Sequence, residues 1–209
     1  MVNYGFVPSK MDGTELEFKG VEMELPKELS YRDYLPKVIN QGMRPICVPC
    51  SISSYINYSI NLEDGINDRD NKVDYEDIYS HRTDEGDNGM SFKDALHYLR
   101  HNCAKVGDDC KKVINRYAKV GSVMQLKQAL VMNGPCIGGL PVYDSYRPNF
   151  WTRLSSDTFQ GGHAIAIVGY DEEGFIIRNS WGSGYGDDGY YIIPYNEFGS
   201  FMEIWTLFD

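Results

Sequence analysis

The clearest periodic segment of the chain begins at Cys47. Apolar residues recur there at spacings of three and four, the repeat expected of one buried helical face: Ile52, Tyr55, Ile56 and Ile60. Pro49 is compatible with this helix, because a proline in the first turn lacks only an N–H that would have no partner within the helix. The pattern therefore predicts a helix that begins at or near Cys47.

Two further helices are predicted from a capping residue followed by an apolar face. Ser91 with Asp94 begins the first of them, whose apolar residues are Phe92, Ala95, Leu96 and Leu99. Ser122 with Gln125 begins the second, and the Asn-Gly-Pro triplet at 133–135 ends it. The first part of the chain is therefore predicted to be mainly helical.

After Pro135 the pattern changes to short runs rich in β-branched and aromatic residues. They lie at 136–142, 163–170, 174–178, 190–193 and 203–208. The segment at 171–174, Asp-Glu-Glu-Gly, reads as the turn between two of these strands. A helical half followed by an antiparallel-sheet half predicts an α+β protein of two lobes.

The N-terminal segment has a different character. Residues 1–24 are polar, contain Pro8 and show no clear periodicity, so we expect an extended arm that is too short for a domain. The most polar internal stretch, from Leu62 to Val73, is predicted to be a surface loop.

Composition limits the partners of the protein. The chain has 209 residues, 42% of them hydrophobic, which is enough for one globular domain or two small lobes. Its formal charge of -10 argues against nucleic acid and anionic membranes as partners. Neither a signal-peptide pattern nor an apolar run of membrane-spanning length is seen, so we expect a soluble, cytoplasmic protein.

The five cysteines do not resemble a disulfide framework, because their number is odd and they are spread over a chain of ordinary composition. A zinc site of Cys47, Cys50, Cys103 and Cys110 is disfavoured, because six residues separate the second pair, whereas structural zinc sites usually have two to four. We expect Cys103 and Cys110 to be free thiols.

Cys47 has the position of a reactive thiol. A thiol attacks as its thiolate, and the unpaired N–H groups at a helix start favour an anion. Gln41 lies six residues upstream, close enough for a turn to bring its amide beside the helix start. Its NH₂ and the Cys47 N–H are therefore candidate donors to an oxyanion.

His163 and Asn179 are candidates for the base and its orienting partner. His163 begins one predicted strand and Asn179 ends the next, so the pairing of these strands can bring the two side chains together. Asparagine can hold one imidazole nitrogen so that the other faces a thiol. Trp181 is placed to shield that bond from water.

These motifs resemble the papain family of cysteine peptidases. The resemblance rests on Asn-Gln-Gly at 40–42 followed by Cys47, on Gly-His-Ala at 162–164, and above all on the run 179–190. It extends from about Leu25 to the C-terminus, and the pattern is similar to compact bacterial and viral members. It implies a papain-like fold in which a helical lobe packs against an antiparallel β-barrel-like lobe, with the active-site cleft between them.

The resemblance also implies boundaries and roles. The peptidase domain would span 25–209, with its helical lobe at about 41–120 and its β-rich lobe at about 25–40 and 121–209. Cys47, His163, Asn179 and Gln41 would be catalytic, and Gly89, Gly162 and Trp181 would bind substrate. The substrate would be a protein or peptide, and no metal or cofactor is implied.

The family's signature leaves a choice between two thiols. Cys50 is three residues after Cys47, but placing the nucleophile there would require a three-residue insertion after Gln41, so Cys47 is preferred. The same pair fits a thioredoxin-like dithiol oxidoreductase, which would give no reason for Gln41, His163 or Asn179. An amidase or acyl-transfer variant and an inactive binding homologue are further alternatives.

The family's long inhibitory prodomain has no counterpart in this sequence, since about 24 residues precede the segment similar to the mature start. This favours either a peptidase without that device or one whose short arm covers the cleft. The sequence therefore suggests the hypothesis that the N-terminal arm interacts with the chain's own cleft.

Overall fold

The computed structural model describes residues 5–65, 70, 72–83, 89–144 and 149–209. Its helices are α1 (Cys47–Asp64), α2 (Tyr75–Ser80), α3 (Phe92–His101) and α4 (Val123–Asn133). Short 3₁₀ helices cover Arg32–Tyr34 and Tyr195–Ser200. The strands are β1 (Leu29–Ser30), β2 (Ala104–Val106), β3 (Asp109–Lys111), β4 (Arg116–Lys119), β5 (Cys136–Tyr143), β6 (Phe159–Tyr170), β7 (Gly174–Arg178), β8 (Tyr190–Pro194) and β9 (Glu203–Phe208).

Seven of these strands form one antiparallel sheet. Its order is β4-β9-β5-β6-β7-β8, and β1 pairs with the end of β6 at Gly169 and Tyr170. Within the described residues this sheet is open, with β4 and β8 at its edges, and it is not a closed barrel. Helices followed by an antiparallel sheet confirm the predicted α+β class.

The three predicted helices are confirmed. Helix α1 begins at Cys47, as its periodicity requires. Ser91 Oγ accepts the N–H of Asp94 at 3.1 Å, and Ser122 Oγ accepts the N–H of Gln125 at 3.2 Å, so both serines are N-caps. The predicted loop from Leu62 to Val73 is in part helical, because α1 extends to Asp64, and residues 66–69 and 71 lie outside the described residues.

The sequence analysis missed helix α2. It has only six residues, and only Ile78 and Tyr79 are buried, so it offers no periodic pattern. Its one local signal is the N-cap, where the side chain of Asp74 accepts the N–H of Asp77.

The prediction of free thiols at Cys103 and Cys110 is wrong. Strands β2 and β3 form a hairpin in which Lys105 lies opposite Cys110. This hairpin brings the two cysteine Cα atoms to 5.4 Å, a normal separation for a disulfide, and the structure joins them. The same disulfide removes two of the four thiols that a zinc site would have needed.

Helix α1 lies against one face of the sheet, and the sheet separates two buried clusters. One cluster joins α1, α3 and one face of the sheet, and the other joins α4 to the opposite face. Strand β4, at 116–119, pairs with β9 in the large sheet although it precedes the predicted lobe boundary. The domain and lobe boundaries stay predictions. No helix in the described part of the chain is long and apolar enough to cross a membrane.

The N-terminal arm lies along the body of the molecule. The N–H of Phe18 donates to the carbonyl of Lys119 at 2.7 Å, and Gln128 Nε2 donates to the carbonyl of Val21 at 2.7 Å. Phe18 is buried, with 5% of its surface exposed. From position 5 onward, therefore, the arm is attached to the folded domain.

Candidate active site

The centre of the site is Cys47, the first residue of α1. Its side chain is fully buried in the cluster between α1 and the sheet. Burial raises the pKa of this thiol to about 12, while the backbone N–H groups of Ala164, Val48 and Cys47 act in the opposite direction. The contact with Ala164, the residue that follows His163, places the sulfur beside strand β6.

His163 and Asn179 meet as the sequence predicted they would. His163 lies in β6 and Asn179 follows the last residue of β7, which is paired with β6. His163 Nε2 lies 2.7 Å from Asn179 Oδ1, and both side chains are buried. Asn179 Oδ1 also accepts the N–H of Ser180 at 2.8 Å, which fixes the amide in this orientation.

Trp181 covers the imidazole. Its ring is stacked on that of His163, with centroids 4.5 Å apart and an interplanar angle of 27°. Phe150 packs on Trp181 at 4.9 Å, and Tyr185 contacts it edge-on at the same distance. This aromatic group keeps water from the His163–Asn179 bond, so that bond is stronger than it would be at the surface. The predicted role of Trp181 in substrate binding stays a prediction.

Gln41 is held beside the start of α1. Its Oε1 accepts the hydroxyl of Ser180 at 2.5 Å, and its Nε2 donates to the carbonyl of Arg44 at 2.9 Å. The Gln41 backbone N–H also donates to the carbonyl of Ser180 at 2.9 Å. Ser180 thus connects Gln41 to the segment that carries Asn179. The sequence analysis did not predict this role, because a single serine after Asn179 forms no pattern that would indicate its partner.

Cys50 lies one turn further into α1. Burial raises the pKa of its thiol as well, and the neighbouring Cys47 adds to that effect. Unlike Cys47, it is not at the helix start, and its backbone N–H donates to the carbonyl of Ile46. Cys47 and Cys50 are not joined by a disulfide.

The arm enters the cleft at Phe6. The N–H of Phe6 donates to the carbonyl of Gly162 at 3.1 Å, one residue before His163. On the other side, Val7 N–H donates to the carbonyl of Met90 at 3.1 Å, and Met90 N–H donates to the carbonyl of Gly5 at 2.8 Å. Phe6 therefore bridges the helical side and the sheet side of the cleft.

Two of the three residues predicted to bind substrate contact this arm. Gly162 accepts the N–H of Phe6, and Gly89 approaches Gly5 so closely that a Cβ at position 89 would lie 2.1 Å from the Gly5 carbonyl oxygen. Gly89 has a φ of +109°, which favours glycine. Both glycines thus leave room for a peptide backbone, whereas no sequence signal had marked Phe6 as the residue between them.

Comparison with known proteins identifies the family. The family model described as papain family cysteine protease matches residues 51–203, more than half of the chain. A peptidase C1-like protein of Acanthamoeba polyphaga mimivirus is 34% identical over an alignment of 82 residues, and this match covers 35% of this chain and 26% of that protein. Cysteine proteinase 3 of Entamoeba histolytica is 34% identical over an alignment of 107 residues, and this match covers 42% of this chain and 34% of that protein. The matches thus cover about a third or less of these two relatives.

A solved structure shows the same fold over nearly the whole chain. Xylellain, a cysteine protease from Xylella fastidiosa, superposes with a TM-score of 0.82 at 23% identity, covering 99% of this chain and 96% of that one. The predicted papain-like fold is confirmed. The family match and the shared fold together show that this chain belongs to the papain family of cysteine proteases.

Proposed function

We propose that this chain is a cysteine peptidase in which Cys47 is the nucleophile and His163 its base. The observation that carries the proposal is the buried bond between His163 Nε2 and Asn179 Oδ1, at 2.7 Å. With Nε2 held by Asn179, Nδ1 is the imidazole nitrogen that exchanges a proton with the thiol. The Ala164 N–H, which acts on the Cys47 sulfur, supports this arrangement of the thiol and the ring.

The proposed reaction begins when His163 takes the thiol proton. The thiolate forms a C–S bond with the carbonyl carbon of the substrate, and the carbonyl oxygen becomes an oxyanion. As the C–N bond breaks, His163 gives its proton to the leaving amine. Water then attacks the thioester while His163 takes a proton from it, and the C–S bond breaks to release the acid and restore Cys47.

Gln41 and the backbone N–H of Cys47 are the proposed donors to the oxyanion. An amide NH₂ has two hydrogens, and only one of those on Gln41 is needed for the bond to Arg44. The bond from Ser180 fixes the other end of the Gln41 amide, so the remaining N–H is held in place before the charge develops. A donor held in this way contributes about 10²- to 10³-fold in rate.

We further propose that the substrate is a protein or peptide and that the N-terminal arm occupies its place. The arm forms backbone hydrogen bonds to both walls of the cleft, through Gly162 and Met90, as an extended substrate segment would. Gly89 and Gly162 are the proposed backbone contacts of a substrate. The arm would then hold the enzyme in a closed form in which Cys47 is buried and its pKa is high.

Substitution of the two thiols tests the proposed nucleophile. Cys47→Ala should abolish hydrolysis of unstructured protein substrates and labelling by an epoxide-type thiol inhibitor, because it removes the proposed nucleophile. Cys50→Ser should keep both activities, whereas a dithiol oxidoreductase would lose its function. Peptide mapping of the labelled protein checks the position, and label that remains on Cys50 in the Cys47→Ala variant would overturn the assignment.

A further inference from the structure

A second thiol lies in the first turn of α1, and the proposed chemistry does not use it. Cys50 is three residues after Cys47, and only 3% of its surface is exposed. Both side chains belong to the same buried cluster, and the structure does not join them. A buried cysteine is commonly an inert packing residue, so what distinguishes Cys50 is its position relative to Cys47.

Helix geometry brings the two cysteines within range of a disulfide. The N–H of Cys50 donates to the carbonyl of Ile46 at 3.0 Å, so the first turn of α1 has the helical rise. Residues three apart in such a helix have Cα atoms about 5 Å apart, inside the range of about 4.4–6.8 Å found for disulfides. Their Cβ atoms lie about 5–6 Å apart, whereas a disulfide needs about 4 Å. A small tightening of this turn is therefore enough to join them.

The start of α1 can tighten at little cost. Pro49 has no N–H, and the N–H groups of Cys47 and Val48 come before the first intrahelical bond. The bond from Cys50 to Ile46 is then the one that has to adjust, and helix starts commonly adopt the narrower 3₁₀ geometry. Burial, and after it the neighbouring Cys47, raises the pKa of the Cys50 thiol, as expected when two sulfur atoms lie close together.

We propose that Cys50 is a resolving thiol, which forms a reversible disulfide with Cys47 after hydrogen peroxide has oxidised that residue. The disulfide stops hydrolysis and protects Cys47 from irreversible oxidation. The proposal rests on the proposed peptidase function, because it concerns the control of the proposed nucleophile.

The oxidation has two steps. The Cys47 thiolate attacks one oxygen of hydrogen peroxide, an S–O bond forms, the O–O bond breaks, and the leaving hydroxide takes the proton that His163 received from the thiol. Cys47 is then a sulfenic acid. The Cys50 sulfur attacks the Cys47 sulfur, an S–S bond forms, and the hydroxyl group leaves as water with the Cys50 proton. Two thiols have lost two electrons, and one peroxide has become two waters.

The position of Cys50 offsets its low reactivity. Its high pKa makes the thiol a weak nucleophile at neutral pH, but its target is held within the same helical turn, and groups held in this way react as if at very high concentration. A second peroxide has to enter the cleft before it can convert Cys47 to the sulfinic acid, which dithiothreitol does not reduce. The disulfide therefore forms first.

The test compares the full chain with the variants Cys50→Ser and Cys136→Ala. Cys136 is the matched control, because its thiol is also fully buried but lies in the cluster on the opposite face of the sheet. Each protein receives the same excess of hydrogen peroxide for the same time. Alkylation after denaturation then counts the thiols, and peptide mapping measures the mass of the segment that contains positions 47 and 50.

Recovery of hydrolysis is measured after dithiothreitol is added to the oxidised protein. The reference is the same protein treated with dithiothreitol alone, because the reductant also opens the disulfide between Cys103 and Cys110.

In the unchanged chain the count should fall from three thiols to one, since only Cys136 keeps its thiol, and the mapped segment should lose two hydrogen atoms. In Cys50→Ser, position 47 should instead gain two oxygen atoms. Dithiothreitol should restore at least about ten times more hydrolysis to the unchanged chain than to Cys50→Ser. Cys136→Ala should recover like the unchanged chain.

Three results overturn the role of Cys50. In the first, Cys47 of the unchanged chain gains oxygen while Cys50 keeps its thiol. In the second, Cys50→Ser recovers as fully as the unchanged chain. In the third, peroxide leaves Cys47 of every protein unchanged.

The two proposals fail in different ways. Thiol counts and masses do not depend on hydrolysis, and hydrolysis is measured on the same proteins before peroxide is added. Hydrolysis without formation of the disulfide overturns the role of Cys50 alone. A folded chain that hydrolyses no peptide before the treatment overturns the peptidase function, whatever its thiols then do.

Discussion

At the scale of single residues, the proposed role of Asn179 is to position His163 rather than to take part in the chemistry. Its Oδ1 lies 2.7 Å from His163 Nε2 and accepts the N–H of Ser180 at 2.8 Å. The imidazole therefore cannot turn without breaking a buried hydrogen bond. Trp181 is stacked against the same ring and limits its tilt. The proposed base is therefore oriented before a substrate arrives.

Asn179→Ala should lower kcat against peptides by about 10²-fold, with a smaller change in KM, because the ring of His163 would lose its orientation while the cleft keeps its shape. The acceptor for Nε2–H would also be lost, so the imidazolium that forms during the reaction should become less stable. Steady-state kinetics across pH measures both effects. Asn102→Ala, at the exposed end of α3, is the control and should leave the profile unchanged. A normal kcat for Asn179→Ala would remove Asn179 from the site.

Sequence could identify the residues that carry a motif but not those that act through contacts. Cys47, His163 and Asn179 were found because helix start, strand order and spacing constrain them. Phe6 was missed because nothing in a polar, aperiodic segment distinguishes one aromatic residue from another.

At the scale of elements, the arm acts as an additional strand in the cleft. It contributes backbone hydrogen bonds at Gly5, Phe6 and Val7 and one buried ring. Its conformation depends on Gly5, which has a φ of +78° and packs against the backbone of Pro45. A Cβ atom at position 5 would clash with the backbone of Pro45, so we expect it to displace the arm.

Gly5→Ala should raise the rate of labelling at Cys47 by about tenfold or more, since a loss of about 1.4 kcal/mol in arm binding changes the closed-to-open ratio tenfold. Gly13→Ala is the matched control: Gly13 has a similar φ of +83°, but a Cβ there meets nothing within 4 Å. Because burial is the main cause of the high pKa of Cys47, displacement of the arm should also shift the labelling profile to lower pH. Equal rates for both variants would show that the arm does not restrict the site.

The elements that sequence predicted are those with a repeat or a cap. Helix α1 was found from its buried face, and α3 and α4 from Ser91 and Ser122. Strands β2 and β3 have three residues each, which is too short for an alternating pattern. Their hairpin turns at Gly107-Asp108, a dipeptide typical of two-residue hairpins, but without a strand pattern on either side it was not recognised, and the disulfide depends on this hairpin. Helix α2 was also missed because it is short: six residues are too few to show a helical repeat.

At the scale of the whole molecule, one lysine holds the arm to the helical side. Lys93 Nζ lies 2.7 Å from Glu15 Oε1 and 3.1 Å from Asp12 Oδ2, and it donates to the carbonyl of Lys10 at 3.1 Å. The hydrogen bond from Lys93 lowers the pKa of Glu15 to about 2, and hydrogen bonds from Thr14, with a further one from Lys93, lower that of Asp12. The ion pairs thus remain formed in moderately acidic solution.

This arrangement predicts that mild acid does not release the arm. A carboxyl group whose pKa is lowered by folding stabilises the bound arm fully above its unfolded pKa, 4.5 for Glu15, and loses the effect only as the pH falls toward about 2. Amide hydrogen exchange of residues 12–18, corrected for intrinsic rates, should be equal at pH 7 and pH 5. Lys93→Met should raise it at both, and Lys37→Met, at an exposed site away from the arm, should not. Faster exchange of the unchanged chain at pH 5 would contradict this account.

The disulfide also bears on where the protein works. A cytoplasmic location stays a prediction, whereas a bond between Cys103 and Cys110 is typical of proteins in oxidising compartments.

The same bond has a consequence for handling the protein. Cys110 is exposed, and the loop that the disulfide closes is short, so reduction should cost the fold only about 2 kcal/mol. Dithiothreitol, added to keep the buried Cys47 in its thiol state, would also reach the hairpin. Alkylation of the denatured protein should therefore count three thiols without the reductant and five after it.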